Sequence, residues 1–575
     1  MKRAILLTNL VVLLVVLSAC AAPTTAPVAP APTTAPAAPT SAPAAPTTAP
    51  VAAPTAAPTA VAATKPPATA APATAAPAAQ KPVVILQSGD VVNLDPQGTQ
   101  NLADVIIKQH IFETLMRWND KIELVPYLAE SYKNIDDLTW EFKIRSGHKF
   151  TNGTPVNADA VIFSLMRGKK LYDTKVSGAG VSYAFNLLDL KDAVKVDDLT
   201  VRLITNKPNP TLQYAVAEPQ TAVFPSNYYK ADAMDNATMN KPIGSGPYKF
   251  VDFVPNDHVT LVLNPDYVGV EKPTIQTLIF RPVPEPATRM AELKSGNADV
   301  IVDVPPDLAD DLTKSPNARL ATVQGMRRIF VSLRVDKNVA LGDKRVRQAM
   351  NYAFDCEAVM KNILGGRGTC SAHIINAPFG SPKVTKYPYD PKKAAALLDE
   401  AGWKMGSDGI REKDGKKLIL NFDSPNGRYI YDKEISQVIG KNLKDVGIGT
   451  TINVLEWTVL SAKTDNQGAG MTDMTFLGSG PGFSCRADLA LIEAASGSNR
   501  TGYNSPAVEA LFKQLIPEKD EAKRLQLCQQ IEELAVDDAP IIFIWLQTDF
   551  YGVSNRLDWT PRADTRIMMF SAKLK

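Results

Sequence analysis

Between Leu138 and Ile144 apolar and polar side chains alternate, as in a strand with one buried face. Asn152-Gly153 then supplies residues that tolerate the positive φ of a tight turn. Asn157 offers a side-chain acceptor to the first free amides of a helix whose apolar face begins with Ala160, Val161, Phe163 and Leu165. The same reading predicts a buried first strand at Val83–Gln87 and an amphipathic helix from about Ala103 to Arg117. Further strands are expected in the region 194–205, at 328–333, 418–422, 451–456 and 540–545. Helices are expected over 344–354 behind the cap Asp343, over 392–401 behind Asp390-Pro391 and closed by Gly402, and over 432–446, 505–515 and 520–536. Alternating helices and strands in the second half suit an open α/β sheet.

The ends change this picture. Lys2 and Arg3 precede a mostly apolar stretch from Ala4 to Leu17, about 14 residues, which is the length of a secretory signal and short of the ~20 of a membrane span. Leu17-Ser18-Ala19-Cys20 resembles a bacterial lipobox, which makes 1–19 a lipoprotein signal peptide and Cys20 a lipid anchor. Residues 20–82 are almost only Ala, Pro, Thr and Val. They have no bulky apolar periodicity to offset the entropy of ordering a backbone, so a disordered tether is expected. In extended polyproline conformation its reach is on the order of 190 Å. The roughly 490 residues that follow are too many for one core.

Charge and chemistry narrow the function. The chain has 62 Lys and Arg against 60 Asp and Glu, and without Lys2 and Arg3 the two are equal, so nucleic acid loses its electrostatic footprint. The four histidines, His110, His148, His258 and His373, are far apart and form no H-E-x-x-H spacing. No G-x-S-x-G elbow occurs, and Cys485 has no histidine beside it in sequence. An enzyme is not expected, nor a metal or other cofactor. Apart from Cys20, the cysteines are Cys356, Cys370, Cys485 and Cys528, an even number in an oxidising compartment. One or two disulfides are expected, with Cys356–Cys370 the first pairing to try.

The wording of the stretch from Pro126 to Arg167, PYLAESYKNIDDLTWEFKIRSGHKFTNGTPVNADAVIFSLMR, resembles the signature of the family 5 extracellular solute-binding proteins, the peptide, nickel and oligosaccharide receptors of ABC importers. Ala160 stands where that pattern has its last Asp. Asn93-Leu94-Asp95-Pro96, Ile111–Leu115, Pro242–Tyr248, Asn264–Tyr267, Val346–Ala353 and Tyr389–Trp403 are similar to further markers of the family. The resemblance implies a two-lobed α/β fold of the large type II periplasmic-binding-protein kind joined by a hinge. Lobe I would be 83–327, with an extra subdomain at about 118–200, lobe II 328–540, and 541–575 a return to lobe I. The crossings would lie near Gly325–Val331 and Ala539–Trp545. It also implies a monomer, lipid-anchored on the extracellular or periplasmic face of the cell membrane, that binds a small organic solute, a peptide first of all, between the lobes and passes it to ABC permease subunits.

Within the family, ligand-defining contacts come from loops after strands of the second lobe. The resemblance therefore points to Asn421, Ser424, Asn426 and Arg428 in NFDSPNGRY, to Gly478, Ser479, Phe483, Arg486 and Asp488 in MTFLGSGPGFSCRAD, and to Trp457 and Phe483 as aromatic walls. Peptide receptors of the family commonly carry an acidic segment at the second place, where this chain has Gly478–Phe483. A nickel-chelate or oligosaccharide receptor, or a sensory or chaperone-like surface protein on the same scaffold, stays open at this point.

Overall fold

The computed structural model describes residues 80–98, 101–176, 180–235, 238, 240–376, 379–465, 468, 470–480 and 501–575. The signal segment 1–19, Cys20 and the tether up to residue 79 lie outside the described residues, as do Phe483, Cys485, Arg486 and Asp488.

Strand β1 (Val83–Gln87) and helix α1 (Leu102–Ile111) open the described fold. The predicted helix stops six residues short of Arg117. Phe112 turns extended, and Glu113 pairs its backbone with Val223, so a tertiary contact outweighs the helical periodicity. The hallmark stretch forms β2 (Ala129–Asn134), β3 (Thr139–Ile144) and α2 (Ala158–Asp173), where the Asn157 side chain accepts from the Ala160 amide at 3.0 Å, as expected. The strand region 194–205 resolves into a hairpin of β4 (Leu190–Asp197) and β5 (Thr200–Thr205). These strands make an antiparallel sheet in the order β2-β3-β5-β4, over a core that runs from Leu115 to Val223.

Most of the remaining strands join one sheet. β6 (Tyr248–Val254), β7 (His258–Leu263), β8 (Thr277–Pro282) and β9 (Val300–Ile301) complete its first part, with helix α3 (Pro286–Ser295) between the last two. Then β10 (Ala318–Leu333) runs sixteen residues. Helices α4 (Lys344–Ala353) and α5 (Pro391–Glu400) carry the expected caps, Asp343 and Asp390. After them come β11 (Ile419–Pro425), α6 (Asp432–Asp445), β12 (Gly449–Leu455) and β13 (Met474–Ser479). Helices α7 (Pro506–Leu515) and α8 (Glu521–Asp538) lead to β14 (Ile541–Ser554). The sheet order is β12-β11-β13-β10-β14-β9-β1-β8-β7-β6, with Thr369–Cys370 pairing on β14 as an eleventh strand.

On α4, Val346, Ala349, Met350 and Ala353 face inward at helical spacing, and Arg347 does so too. Its guanidinium donates to the carbonyls of Leu341, Gly342 and Asp538, which cap the ends of neighbouring segments. The outward face therefore holds fewer cations than the periodicity suggests.

Two strands, β10 and β14, connect two sets of cores. Their antiparallel pairing runs from Ala318↔Ser554 to Gln324↔Thr548, breaks, and resumes from Arg328↔Leu546 to Ser332↔Ile541. On one side of the break Tyr551 and Val553 pack with Val83, Ile85 and Phe280. On the other side Ile542, Ile544 and Trp545 pack with Val331, Phe422 and Phe476. The fold is two-lobed α/β. The break lies inside the expected Gly325–Val331 stretch, whereas opposite it stand Leu546–Thr548, beyond the expected Ala539–Trp545, whose side chains stay in the second core.

Cys356 and Cys370 form a disulfide, the pairing expected first. Cys528 is also disulfide-bonded. No helix among the described residues is long and apolar enough to cross a membrane.

Candidate functional site

Strand direction locates a crevice. β1 is parallel to β8 and β9, and Ile301, the last residue of β9, pairs with Gly552 on the break side of Val553, so these strands point their carboxyl ends at the break. In the second lobe β11 is parallel to β12 and β13, and Ser479 at the carboxyl end of β13 pairs with Arg328 beside the break. Both lobes thus offer strand carboxyl ends to the same place, where open α/β sheets bind ligands.

The second lobe's wall contains several residues expected from the sequence. Asn426 is exposed and donates to Glu456 Oε1 at 2.9 Å. Arg428 is exposed and lies 4.9 Å over the Trp457 ring and 5.8 Å over Tyr429, a cation–π stack. Gly478 is small for a packing reason: a Cβ there would come within 2.6 Å of Tyr429 Cε1 and 2.8 Å of Ile329 Cδ1. Its carbonyl accepts from Tyr429 Oη at 3.2 Å. Ser479 is buried beside Gly480, whose carbonyl takes a hydrogen bond from Arg328 at 3.0 Å.

Two expected residues stand apart from this wall. Asn421 sits in the amino-terminal half of β11, where its backbone and side-chain amides both donate to Asp473. Ser424 is fully buried, accepting from Ser436 Oγ at 2.9 Å beneath α6. Phe483, Arg486 and Asp488 lie outside the described residues.

The first lobe and the break supply a polar floor that sequence reasoning missed. Asp303 follows β9 with φ +51° and accepts from Ser88 Oγ at 2.7 Å. Asp549 on β14 is 7% exposed; its Oδ1 accepts from Gln547 at 2.8 Å, and its Oδ2 has no partner. Burial pushes its pKa up to about 6, with Arg327 opposing and Asp303 and Asp564 adding to the shift. Gly325 opposite it is required for space, since a Cβ would meet Asp549 Oδ2 at 2.4 Å. The return segment then closes over the break: Met326 N donates to Ala563 O at 2.9 Å. Arg562 binds Asp564 and Asp120, and Arg566 stands 3.9 Å from both Asp564 and Glu218. Glu218 is buried, and that burial pushes it up to about 7. No local motif marks these residues, because their chemistry comes from convergence of segments more than 200 residues apart.

The Asp95 of the opening marker is a scaffold element. It is completely buried and paired in two places with Arg167, the last residue of the hallmark stretch, at 2.8 and 3.1 Å.

The family model described as bacterial extracellular solute-binding proteins, family 5, matches residues 123–499. The chain belongs to that family. Such proteins are solute-binding receptors, and this chain is a receptor and not an enzyme. It is similar to the oligopeptide-binding protein AppA of Bacillus subtilis, 27% identical over 478 residues that cover 80% of this chain and 86% of the relative. The heme-binding protein A of Haemophilus influenzae is 26% identical over 474 residues, covering 78% and 84%. Among solved structures, NikA of Brucella suis in complex with Fe(III)-EDTA superposes with a TM-score of 0.76 at 23% identity, covering 86% of this chain and all of that one. The last likeness supports the two-lobed fold alone.

Proposed function

We propose that this family 5 protein is the lipid-anchored receptor of an ABC importer and that it closes on an oligopeptide or similar organic solute. The observation that carries the reading is the convergence of strand carboxyl ends from both lobes on one crevice, crossed among the described residues by two strands. Two crossing strands with one break make a hinge. We place it at Gln324–Arg328 and Leu546–Thr548, with the first lobe on the amino-terminal side of β10.

Closure buries a solute between Asn426, Arg428, Trp457, Gly478 and Ser479 on one wall and the floor residues on the other, and contacts to both lobes shift the population to the closed form. Permease subunits then recognise that form. Cys20 carries the lipid, and 20–82 lets the receptor stand off the membrane. An oligopeptide-binding relative covered along most of its length supports the peptide class.

The test is native mass spectrometry of protein purified from its host, followed by ligand-induced thermal shifts with peptide, oligosaccharide and metal-chelate libraries. A retained or stabilising peptide is expected. Stabilisation by chelates alone moves the reading to a metal-chelate receptor, and no ligand of any class ends it. Labelled palmitate should enter the wild type and not Cys20→Ala.

A further inference from the structure

We infer that the Cys356–Cys370 disulfide is a redox-sensitive latch on the hinge: closed, it holds Arg367 across to the first lobe, and its reduction releases that contact and favours the open form. This rests on the hinged-receptor reading and adds a control to it.

The disulfide joins the start of the helix Cys356–Asn362 to the two-residue strand Thr369–Cys370. That strand pairs with Leu546 and Trp545, so it lies on β14 at the second lobe's edge of the break. Cys356 stands against the same part of β14, its Sγ 3.1 Å from the Ile544 carbonyl, which also accepts from Ser371 N at 3.3 Å. Between the cysteines the chain turns through Gly365 and Gly366, at φ +59° and +76°, a backbone that glycine adopts readily and other residues do not. Gly366 N donates to Met360 O at 2.9 Å and Arg367 N to Leu364 O at 3.0 Å, so the helix end fixes the near side of this loop. The disulfide fixes its far side.

Arg367, three residues before Cys370, reaches out of that frame to the first lobe. Its guanidinium pairs with Asp310, on the helix Ala309–Thr313, and donates to Pro306 O at 3.4 Å. An exposed ion pair stabilises little because two long side chains and their backbone must be held in one geometry. A loop closed at both ends has already lost most of that freedom, so the pair forms at lower cost. Both cysteines are only partly buried against the second-lobe core. A dithiol reductant supplies two electrons and two protons: its own thiols become a disulfide, the Cys356–Cys370 bond breaks, and both cysteines become thiols. The glycine-rich loop then regains freedom at the break, while Tyr431 keeps its own contact with Asp307.

The experiment places one dye on each lobe of the full mature chain and reads the interlobe distance by single-molecule energy transfer, without solute, before and after dithiothreitol. Alkylation with mass spectrometry counts the thiols released. Reduction should lower the closed-to-open ratio about 2- to 5-fold, the size of one exposed ion pair. The Cys356→Ser, Cys370→Ser variant retains Cys528, which is disulfide-bonded separately, and should start at the reduced ratio and ignore the reductant. Arg367→Ala should also start low and stay there, although its disulfide opens; this arm stands even if the double serine variant fails to fold. The latch is overturned by a ratio that is unchanged when both cysteines are alkylated, by a disulfide that resists dithiothreitol in the folded chain, or by a full response in Arg367→Ala or in the serine variant. Closure is read without solute, so absence of any binder would overturn the receptor reading and leave the latch standing.

Discussion

Glu113 shows how burial sets chemistry at a single residue. It is completely buried, and desolvation pushes its pKa from the usual 4.5 to about 8, against the hydrogen bond from Tyr267 Oη and the nearby Arg117 and Arg145. His148, 3.9 Å away, is itself lowered by burial, so the contact joins a carboxylic acid and a neutral imidazole. The folded state holds this proton where the unfolded chain has lost it. The group's contribution is thus fully present below about pH 4.5 and is lost as pH rises through about 8. Melting temperatures of wild type and Glu113→Gln should therefore diverge as pH rises from 5 to 8, with the wild type falling relative to the variant. Arg167→Met removes the guanidinium paired with the buried Asp95 carboxyl, and urea unfolding should show a loss of about 3–5 kcal/mol, partly restored by adding Asp95→Asn. Gly478→Ala pushes against Tyr429 and Ile329 and should cost about 1–3 kcal/mol by the same measurement.

Among the elements, the segment that carries Cys370 pairs with β14 at Leu546 and Trp545, next to the break, and the disulfide ties it to the helix that begins at Cys356. The bridge closes 14 residues, and the loss of that constraint in a Cys356→Ser, Cys370→Ser variant should lower stability by about 3 kcal/mol, read from equilibrium unfolding. Most elements were legible because their signals are local. Asn157, Asp343, Asp390, Ser505 and Asp520 all cap helices through their own side chains. The errors have a common cause: α1 ends early and β10 begins early, at Ala318, because Glu113 and residues 318–324 take partners from distant segments.

For the whole molecule, the lobes meet on both rims of the crevice. On one rim Tyr431 Oη donates to Asp307 at 2.9 Å, Ile430 packs against the core of Leu86 and Phe550, and Arg367 pairs with Asp310. On the other, Tyr214 and Phe379 meet edge-on at 6.5 Å and Lys519 pairs with Asp137. Each exposed pair contributes at most about 1 kcal/mol, so together they bias closure without locking it. Tyr431→Phe with Arg367→Ala should leave the unfolding midpoint nearly unchanged and increase the ligand-free radius of gyration measured by small-angle scattering. An unchanged radius would show that these contacts do not set the closed population.

By itself the sequence determined the family, the α/β class and the helix caps, since each is written in neighbouring residues or in short spacing, whereas it only offered Cys356–Cys370 as the first pairing to try, which the folded chain then makes. The family resemblance, not local spacing, pointed to Asn426, Arg428, Trp457, Gly478 and Ser479. The tertiary structure alone decided that Asn421 and Ser424 turn away, that Asp95 serves Arg167, and that Glu218, Asp303, Asp549 and Asp564 share one floor. Burial and electrostatic proximity depend on which distant segments meet, and only the folded chain brings them together.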